Sequence, residues 1–296
     1  MARRGRKGWQ MFLSIVVVIL LAIGAWKGGF FDEKREYTPV EGTLELHIVD
    51  VEQADCTLIV SEAGNVLIDA GDVETKDEVK DYLEQLGVRE LAYAIFTHPD
   101  ADHIGGAATV IESFEIENVI LPALHEGDVP TTKVYESMIA ALEEKESINV
   151  IAAEAGAEYE IGELKMKILA PLSDNYSNIN DYSVTARFDF GATSFLFTGD
   201  ALERSEGEMV EHYPASELKA DFFQAGHHGA SNANTPAFIH AVSPKIVAVS
   251  CGRDNKYGHP TEEALAAFAS VDATVYRTDE LGTMIFVSDG KEIVKE

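Results

Sequence analysis

The 296-residue chain is 46% hydrophobic and 25% charged, which is ordinary for a globular protein, but its formal net charge is −28. The first 36 residues hold seven of the 23 Lys and Arg and three of the 51 Asp and Glu, so the other 16 basic and 48 acidic residues give the remainder −32. Such an acidic body repels polyanions at long range, which excludes broad non-specific DNA binding but leaves room for a local phosphate site. The two cysteines show no metal-type or disulfide-type spacing.

The amino terminus is typical of a membrane anchor. Four basic residues precede an uncharged run from Gly8 to Trp26, which as a helix of about 1.5 Å per residue nearly spans a hydrocarbon core. Positive charge before the run predicts that this end stays inside and that the rest is exported. A cleaved signal peptide is the alternative, with a weak cleavage pattern at Ala22–Gly24.

We therefore predict two regions. Residues 1–36 comprise a basic cytoplasmic tail, a transmembrane segment (about 8–26) and a linker, and residues 37–296 form one domain. The predicted location is the cell membrane, as a single-pass protein with its domain outside the cytoplasm. If the amino-terminal segment is cleaved, the domain is secreted instead.

From Thr43 onward, short apolar runs typical of strands alternate with helical patterns. Strands are predicted, in order, at TLELHIVD, CTLIV, NVLIDAG, LAYAIFT, ENVILP, INVIAAEAG, LKMKILAP, SVTARFDFG, TSFLFTGD, ADFFQAG, KIVAVSCG, ATVYRT and GTMIFVS. Helices are predicted at 75–86, 105–113, 131–145, 202–213, 235–241 and 261–270. Strand meanders with helices between them favour an α/β fold of the αββα sandwich type, in which two sheets pack together under outer helices.

The segment THPDADHIGG (97–106) follows a predicted buried strand and concentrates ligand-type side chains. Alternate residues of an extended segment face one way, so His98, Asp100 and Asp102 can converge, and His103 joins them where the chain turns into a helix. Imidazole and carboxylate groups suit Zn²⁺ or Mn²⁺. A polar turn with Asp102 as a helix cap is the alternative, but it does not explain two histidines flanking two aspartates. The pattern predicts metal binding.

Three further strands end in similar residues. Asp200 closes FLFTGD, where it is expected either to bridge two ions or to cap the following helix. His227 and His228 follow ADFFQAG, and because adjacent side chains point apart, at most one is expected to bind the same ion. His259 comes after KIVAVSCG. Repeated occurrence at the ends of strands favours one shared site at a sheet edge.

These segments together resemble the metallo-β-lactamase superfamily and, within it, the hydrolase domain of competence proteins of the ComEC type. The residues that carry the resemblance are HIVDVEQADCTLI, VLIDAG, THPDADHIGG, DYSVTARFDFGATSFLFTGD, LKADFFQAGHHGAS and NKYGHPTEEAL. The resemblance implies a binuclear site. It places one metal at His98, Asp100 and Asp200, and the other at Asp102, His103, Asp200 and His227. His227 is preferred to His228 because the superfamily's last ligand usually follows a glycine.

The resemblance also implies roles around the metals. Asp69 would orient the ligand loop from behind. His259 lies near the substrate, where it would protonate the leaving group or bind a phosphate oxygen. Asp102, His228 and His259 are thus the predicted catalytic residues, with either histidine as the proton donor.

The sequence departs from the family pattern at several positions. The family's second histidine is Asp100 here, as is typical of this branch. The histidine expected between the opening motif and Asp200 has no clear counterpart, since His125 lies in no matching motif and Asn180 and Asp181 lie nearer the expected place. The glycines of the family's DVGQGD are replaced by Glu52 and Ala54, which leaves Gln53 and Asp55.

The predicted function is that of an exported, membrane-anchored hydrolase with two divalent ions, Zn²⁺ or Mn²⁺. A carboxylate-rich ligand set favours a phosphodiester substrate, with single-stranded DNA and a role in DNA uptake as one version. Lys219, Arg253 and Lys256 are candidates to hold phosphate locally. The alternatives are a cell-wall phosphodiester, a lactone or a β-lactam as substrate, or a binding module without catalysis.

Overall fold

The structure, a computed structural model, describes residues 39–125 and 127–296. The predicted transmembrane segment at about 8–26 lies outside the described residues, as do the basic tail and linker beside it. Across those two described ranges, no helix combines the length and the apolarity needed to cross a bilayer.

The strands of the described residues form two sheets. The first has eight strands in the order β15-β14-β1-β2-β3-β4-β5-β6. These strands are β1 (Leu44–Ile48), β2 (Thr57–Ser61), β3 (Gly64–Ile68), β4 (Glu90–Ile95), β5 (Glu115–Leu121), β6 (Asn149–Ala152), β14 (Met284–Ser288) and β15 (Ile293–Lys295). The second has seven, in the order β13-β12-β11-β10-β9-β8-β7. They are β7 (Glu158–Ile161), β8 (Leu164–Ala170), β9 (Thr185–Phe190), β10 (Thr193–Phe197), β11 (Phe222–Gln224), β12 (Ile246–Val249) and β13 (Thr274–Arg277).

Helices cover the outer face of each sheet. In the described residues they are α1 (Lys76–Gln85), α2 (Ala101–Ile104), α3 (Ala107–Ser113), α4 (Lys133–Glu144), α5 (Glu203–His212), α6 (Ala215–Leu218), α7 (Pro236–Val242), α8 (Glu262–Ala269) and α9 (Thr278–Leu281). The outward apolar residues of the first sheet pack with α1, α3 and α4, and those of the second sheet with α5, α7 and α8. The predicted αββα sandwich is confirmed.

The interior between the sheets explains why several strands read as continuous apolar runs. Both faces of β1, β2 and β10 are covered, so every residue in them is buried. Phe222 of β11 joins the layers, because its ring lies 5.0 Å from that of Phe286 and 5.9 Å from that of Phe195. Aromatic side chains thus fill much of the space between the sheets.

The sheet topology places the strand ends that carry ligand-type residues close together. In the first sheet β3, β4 and β5 are parallel, and in the second β10, β11, β12 and β13 are parallel. Side chains that follow the carboxyl ends of parallel strands share one sheet edge. The two sheets therefore bring the loops after β4, β10, β11 and β12 to the same end of the sandwich.

The structure differs from the predicted elements in a few places. The helix predicted at 105–113 begins two residues later, as α3 (Ala107–Ser113), and the short helix α2 before Gly105 was not predicted. A Cβ on Gly105 or Gly106 would overlap the backbone of the segment Ala70–Val73, so the chain passes too closely there for a side chain. The short edge strands β7 and β15 were not predicted, because three or four half-exposed residues give little periodic signal.

Candidate metal centre

The ligand-type residues predicted from the sequence lie in three loops at one end of the sandwich. His98, Asp100, Asp102 and His103 follow β4, Asp200 follows β10, and His227 and His228 follow β11. His98, His103, Asp200 and His228 are all at most 2% exposed. The side chains of Asp100 and Asp102 are 46% and 33% exposed, so they lie on the open side of the cluster.

Asp200 occupies the middle of the cluster. Its Oδ1 lies 3.2 Å from Nε2 of His103, and its Oδ2 lies 3.7 Å from Nε2 of His98 and 3.5 Å from Nε2 of His227. The two oxygens therefore face different imidazoles. This is the arrangement that a carboxylate needs to bridge two cations.

The adjacent histidines reach different parts of the site. Nε2 of His228 lies 3.5 Å from Oδ2 of Asp102, and its ring lies 5.4 Å from that of His103, whereas His227 faces Asp200 Oδ2. The structure thus groups His228 with Asp102 and His103, where the sequence-based prediction placed His227. Both residues have left-handed backbone angles, with φ of 49° and 55°. Because of this tight turn, the position of a histidine after Gly226 does not predict which metal position its side chain faces.

The first two imidazoles are oriented by Asp69. His103 donates from Nδ1 to Asp69 Oδ2 over 2.8 Å. His98 donates from Nδ1 to the Thr97 hydroxyl over 3.2 Å, because that hydroxyl donates its own hydrogen to Asp69. Asp69 also accepts from the Thr97 backbone N–H and is 1% exposed. Each ring therefore carries its proton on Nδ1 and presents an Nε2 lone pair to the site.

The other two imidazoles are oriented in the same sense. His227 donates from Nδ1 to Oδ1 of Asn232 over 3.1 Å, and His228 donates from Nδ1 to the carbonyl oxygen of Ser250 over 3.1 Å. Since each acceptor can only accept in this arrangement, Nε2 is again left as the free lone pair. Four rings thus present the same atom to the cluster.

The donor set passes a direct test of fit to metal ions. Within the described ranges, Nε2 of His98, His103 and His228 and Oδ1 of Asp200 are buried without a hydrogen-bond partner. Buried polar atoms are rarely left without partners, so several in one cluster need an explanation. Two divalent cations at the centre would satisfy them. One position would take His98, Asp100, His227 and Asp200, and the other Asp102, His103, His228 and Asp200.

The electrostatics of the cluster also favour cations. Burial alone would raise the pKa of Asp200, but the charge of the adjacent His103 holds it well below its usual range. Burial alone would lower the pKa of His103, but Asp200 and Asp69 hold it well above its usual range. The pKa of His228 likewise rises to about 9 against burial, chiefly because of Asp55. The buried carboxylates thus favour positive charge at this place, which divalent cations would supply to neutral ligand rings.

His259 lies at the rim of the site, and its Nδ1 faces a side-chain amide nitrogen rather than an oxygen acceptor. Its ring lies 5.7 Å from that of His227 and 6.3 Å from that of His228. Burial, followed by the positive charges of His228 and His227, lowers the pKa of His259 to about 4. Gln53 lies 3.4 Å from its Nδ1, and the exposed ring of Tyr257 stacks on it.

Two functional candidates were not predicted as site residues. Asp55 is 4% exposed, and its Oδ1 lies 3.6 Å from Nδ1 of His228. Asn180 is 8% exposed and donates to Asp200 Oδ2 over 3.4 Å. The sequence carried a weak signal for both, because Asp55 is kept from the family's DVGQGD and Asn180 lies near the place of the missing histidine. Asp181 instead accepts the backbone N–H groups of Leu202 and Ser205 at the start of α5.

Of the other residues that the sequence suggested as ligands or phosphate contacts, some lie near the site and others lie far from it. His125 lies on an exposed loop, 3.7 Å from Asp174, and is not part of the cluster. Arg253 and Lys256 are exposed on the loop that carries His259. Lys219 precedes β11, whose opposite end leads to His227, so the expectation that Lys219 lies near the site is wrong.

Comparison with known proteins agrees with this geometry. The sequence profile of the Metallo-beta-lactamase superfamily matches residues 49–163. ComE operon protein 3 of Bacillus subtilis is 27% identical over 258 residues, which cover 81% of this chain and 32% of the relative. Competence protein ComA of Neisseria gonorrhoeae is 26% identical over 270 residues, which cover 91% of this chain and 35% of the relative. The chain spans about a third of the length of these relatives.

A solved structure shows the same fold. The metallo-beta-lactamase fold protein YhfI from Bacillus subtilis is 13% identical, with a TM-score of 0.54 and coverage of 83% of this chain and 99% of that one. The profile match, the relatives and the fold, taken with the donor cluster, indicate a metal-dependent hydrolase domain. The profile match over residues 49–163 and the competence-protein relatives together support a metallo-β-lactamase superfamily hydrolase domain of the ComEC type in this chain.

Proposed function

We propose that this chain is an exported, membrane-anchored phosphodiesterase that uses two divalent cations, Zn²⁺ or Mn²⁺. The observation that carries the proposal is the convergence of imidazole Nε2 atoms on the two oxygens of Asp200, with Asp100 and Asp102 at the open side. Such a site has hard carboxylate donors beside nitrogen donors. That mixture suits hydrolysis at phosphorus with zinc or manganese.

The chemistry divides between the cations and the chain. When bound, two divalent ions at such a site lower the pKa of a water molecule to about 7 and neutralise charge that develops at the attacked phosphorus. Asp69 lies behind the ligand rings of the THPDADHIGG segment and stabilises their orientation, and the Asp55 carboxylate lies 3.6 Å from Nδ1 of His228. Asp102 lies at the open side, where its carboxylate shares the second position with His228.

His259 is the residue that we expect to touch the substrate from the rim. The structure turns Nε2 of His228 toward Asp102, which suits a ligand better than a proton donor. His259 is therefore favoured over His228 for contact with the leaving group or with a phosphate oxygen. Arg253 and Lys256 are close enough along the chain to help hold the phosphate.

Two substrate classes are supported by different observations. The similarity to a protein named competence protein ComA supports DNA as the phosphodiester, and single-stranded DNA is the form that we propose. The net charge of −32 over residues 37–296 opposes approach of a long polyanion and favours a phosphodiester of the cell envelope that carries less charge. A lactone or a β-lactam is less favoured, because the donor set is rich in carboxylates.

The reaction class is tested with the purified full chain in detergent, loaded with Zn²⁺ or Mn²⁺. We expect turnover of bis(p-nitrophenyl) phosphate, no turnover of nitrocefin, and loss of activity in Asp102→Asn. Parallel assays with single-stranded DNA, duplex DNA and a phosphodiester-linked cell-wall polymer identify the substrate class. A chain that binds metal but leaves every phosphodiester intact overturns the proposal.

The anchoring is tested separately. We expect the full chain to remain with the membrane fraction after high-salt washing, because residues 8–26 hold it there. We also expect protease added to intact cells without a cell wall to degrade the domain. A domain that is protected until the cells are lysed contradicts export.

A further inference from the structure

Gln53 connects two loops at the rim of the site. Its Oε1 accepts a hydrogen bond from the backbone N–H of Gly252 over 3.0 Å, and its Nε2 lies 3.4 Å from Nδ1 of His259. Gln53 precedes β2 of the first sheet, while Gly252 and His259 lie in the loop after β12 of the second. Nothing in the metal centre requires a glutamine at this place.

The contact with Gly252 determines which way the amide points. A backbone N–H can only donate, so it must face the oxygen of the Gln53 side chain. The nitrogen of the amide then faces His259. An amide nitrogen can only donate, so Nδ1 of His259 must accept.

The backbone of His259 is held independently of this contact. Asn255 donates from Nδ2 to the His259 carbonyl over 2.6 Å and accepts from the His259 backbone N–H over 3.0 Å. Tyr257 stacks on the ring with 5.6 Å between centroids and 24° between planes. Gln53 is thus free to determine the proton position rather than the ring position.

His259 consequently differs from the ligand histidines. His98, His103, His227 and His228 carry hydrogen on Nδ1 and offer an Nε2 lone pair, whereas His259 accepts at Nδ1 and carries its hydrogen on Nε2. A neutral ring of this kind is a poor acid, because loss of the Nε2 proton would leave an imidazolate. It is, however, a good hydrogen-bond donor to an oxygen that gains negative charge.

We propose that Gln53 is a positioning residue that holds His259 in the neutral Nε2–H form, so that His259 stabilises a non-leaving phosphate oxygen by hydrogen bonding and does not protonate the leaving group. This inference rests on the proposed phosphodiesterase function for its substrate. It decides between the two roles that the sequence left open for His259. It also accounts for the choice of an amide at residue 53, which a carboxylate could not replace.

The proton position is measured directly by nitrogen NMR. The full chain is labelled with ¹⁵N-histidine, kept metal-free with chelator, and compared with His259→Gln to assign the His259 signals. We expect Nε2 of His259 to be protonated and Nδ1 unprotonated in the wild type. In Gln53→Glu the carboxylate should accept from Nδ1 and reverse or double the protonation. Protonated Nδ1 in the wild type overturns the inference whether or not the chain is a phosphodiesterase.

Kinetics then separate the two roles. We expect Gln53→Glu and His259→Ala to lower kcat by similar factors, roughly 100-fold, for a p-nitrophenyl phosphodiester and for an alkyl phosphodiester alike. His259→Asn, which keeps a side-chain N–H donor, should recover part of the loss. A loss confined to the alkyl substrate, whose leaving group needs a proton, overturns the inference while leaving the proposed function intact.

Two controls complete the design. Gln85→Glu makes the same charge change on the exposed end of α1 and should leave both rates unchanged. Metal content of Gln53→Glu, measured by mass spectrometry, should equal that of the wild type. If Gln53→Glu instead loses metal, its lower activity has a different cause and the positioning role is rejected.

Discussion

Nε2 of His103 lies 3.2 Å from Oδ1 of Asp200, although the two residues follow strands of different sheets. Nδ1 of the same ring donates to Asp69. The His103 ring therefore lies between two carboxylates, the buried one of Asp69 and the one of Asp200 at the centre of the site. These contacts connect the two sheets at the proposed catalytic site, and together they fix the orientation of the His103 ring.

Removal of the charge on Asp69 should weaken metal binding. In Asp69→Asn the amide cannot accept all the hydrogen bonds from Thr97 and His103, so the ligand rings lose their fixed orientation. We expect the dissociation constant for Zn²⁺ to rise about 10–100-fold. Titration calorimetry measures this, with Asp77→Asn on the exposed first turn of α1 as the control. Unchanged affinity in Asp69→Asn would argue against a supporting role.

The two adjacent histidines should hold different ions. His228→Ala should lose the ion beside Asp102 and His103, and His227→Ala should lose the ion beside His98. Each variant should therefore retain about one equivalent of metal under conditions where the wild type holds two. Mass spectrometry of the native protein counts the ions. Two ions in His228→Ala would restore the assignment made from the sequence, in which only His227 is a ligand.

Glu206 should make stability depend on pH. Burial raises the pKa of this α5 carboxyl from 4.5 to about 7, although it accepts hydrogen bonds from the backbone of Thr235 and Asn234. Between these values the folded state keeps a proton that the unfolded state has released, so the free energy of unfolding falls as pH rises. The loss relative to Glu206→Gln should total about 3 kcal/mol from pH 4 to 8.

Urea unfolding of the metal-free protein at several pH values tests the role of Glu206. The comparison with Glu206→Gln cancels the contributions of titratable groups that do not interact with Glu206. The stability of the two proteins should diverge between pH 4.5 and 7 and then run parallel. Parallel curves over the whole range would show that the Glu206 carboxyl is not perturbed.

Truncation at the centre of the sandwich should destabilise the fold without a specific effect on the site. Phe222 is fully buried, and its ring contacts those of Phe195 and Phe286 from the two sheets. Phe222→Ala should lower the free energy of unfolding by about 3–5 kcal/mol. Denaturant titration measures this, with exposed Val150→Ala in β6 as the matched control. A change below 1 kcal/mol would mean that the sheets do not pack through this ring.

The sequence by itself determined the αββα fold and most of the residues that line the candidate site, with Asp55 and Asn180 as the exceptions. Buried strands appear as apolar runs, and ligand-type residues directly after them stand out, because strand period and strand ends are local properties of the chain. His98, Asp102, His103 and Asp200 could be found in this way. The expectation of metal binding follows from these residue types alone.

Only the tertiary structure decided which of these residues lie together and which metal position each of them faces. The left-handed turn at His227 and His228 sends one ring toward Asp200 and the other toward Asp102, and Gln53 meets His259 across 206 positions of sequence. Lys219 lies at the wrong end of β11 for a role at the site. Such relations depend on strand direction, register and backbone angles that distant segments impose on one another, so no local pattern encodes them.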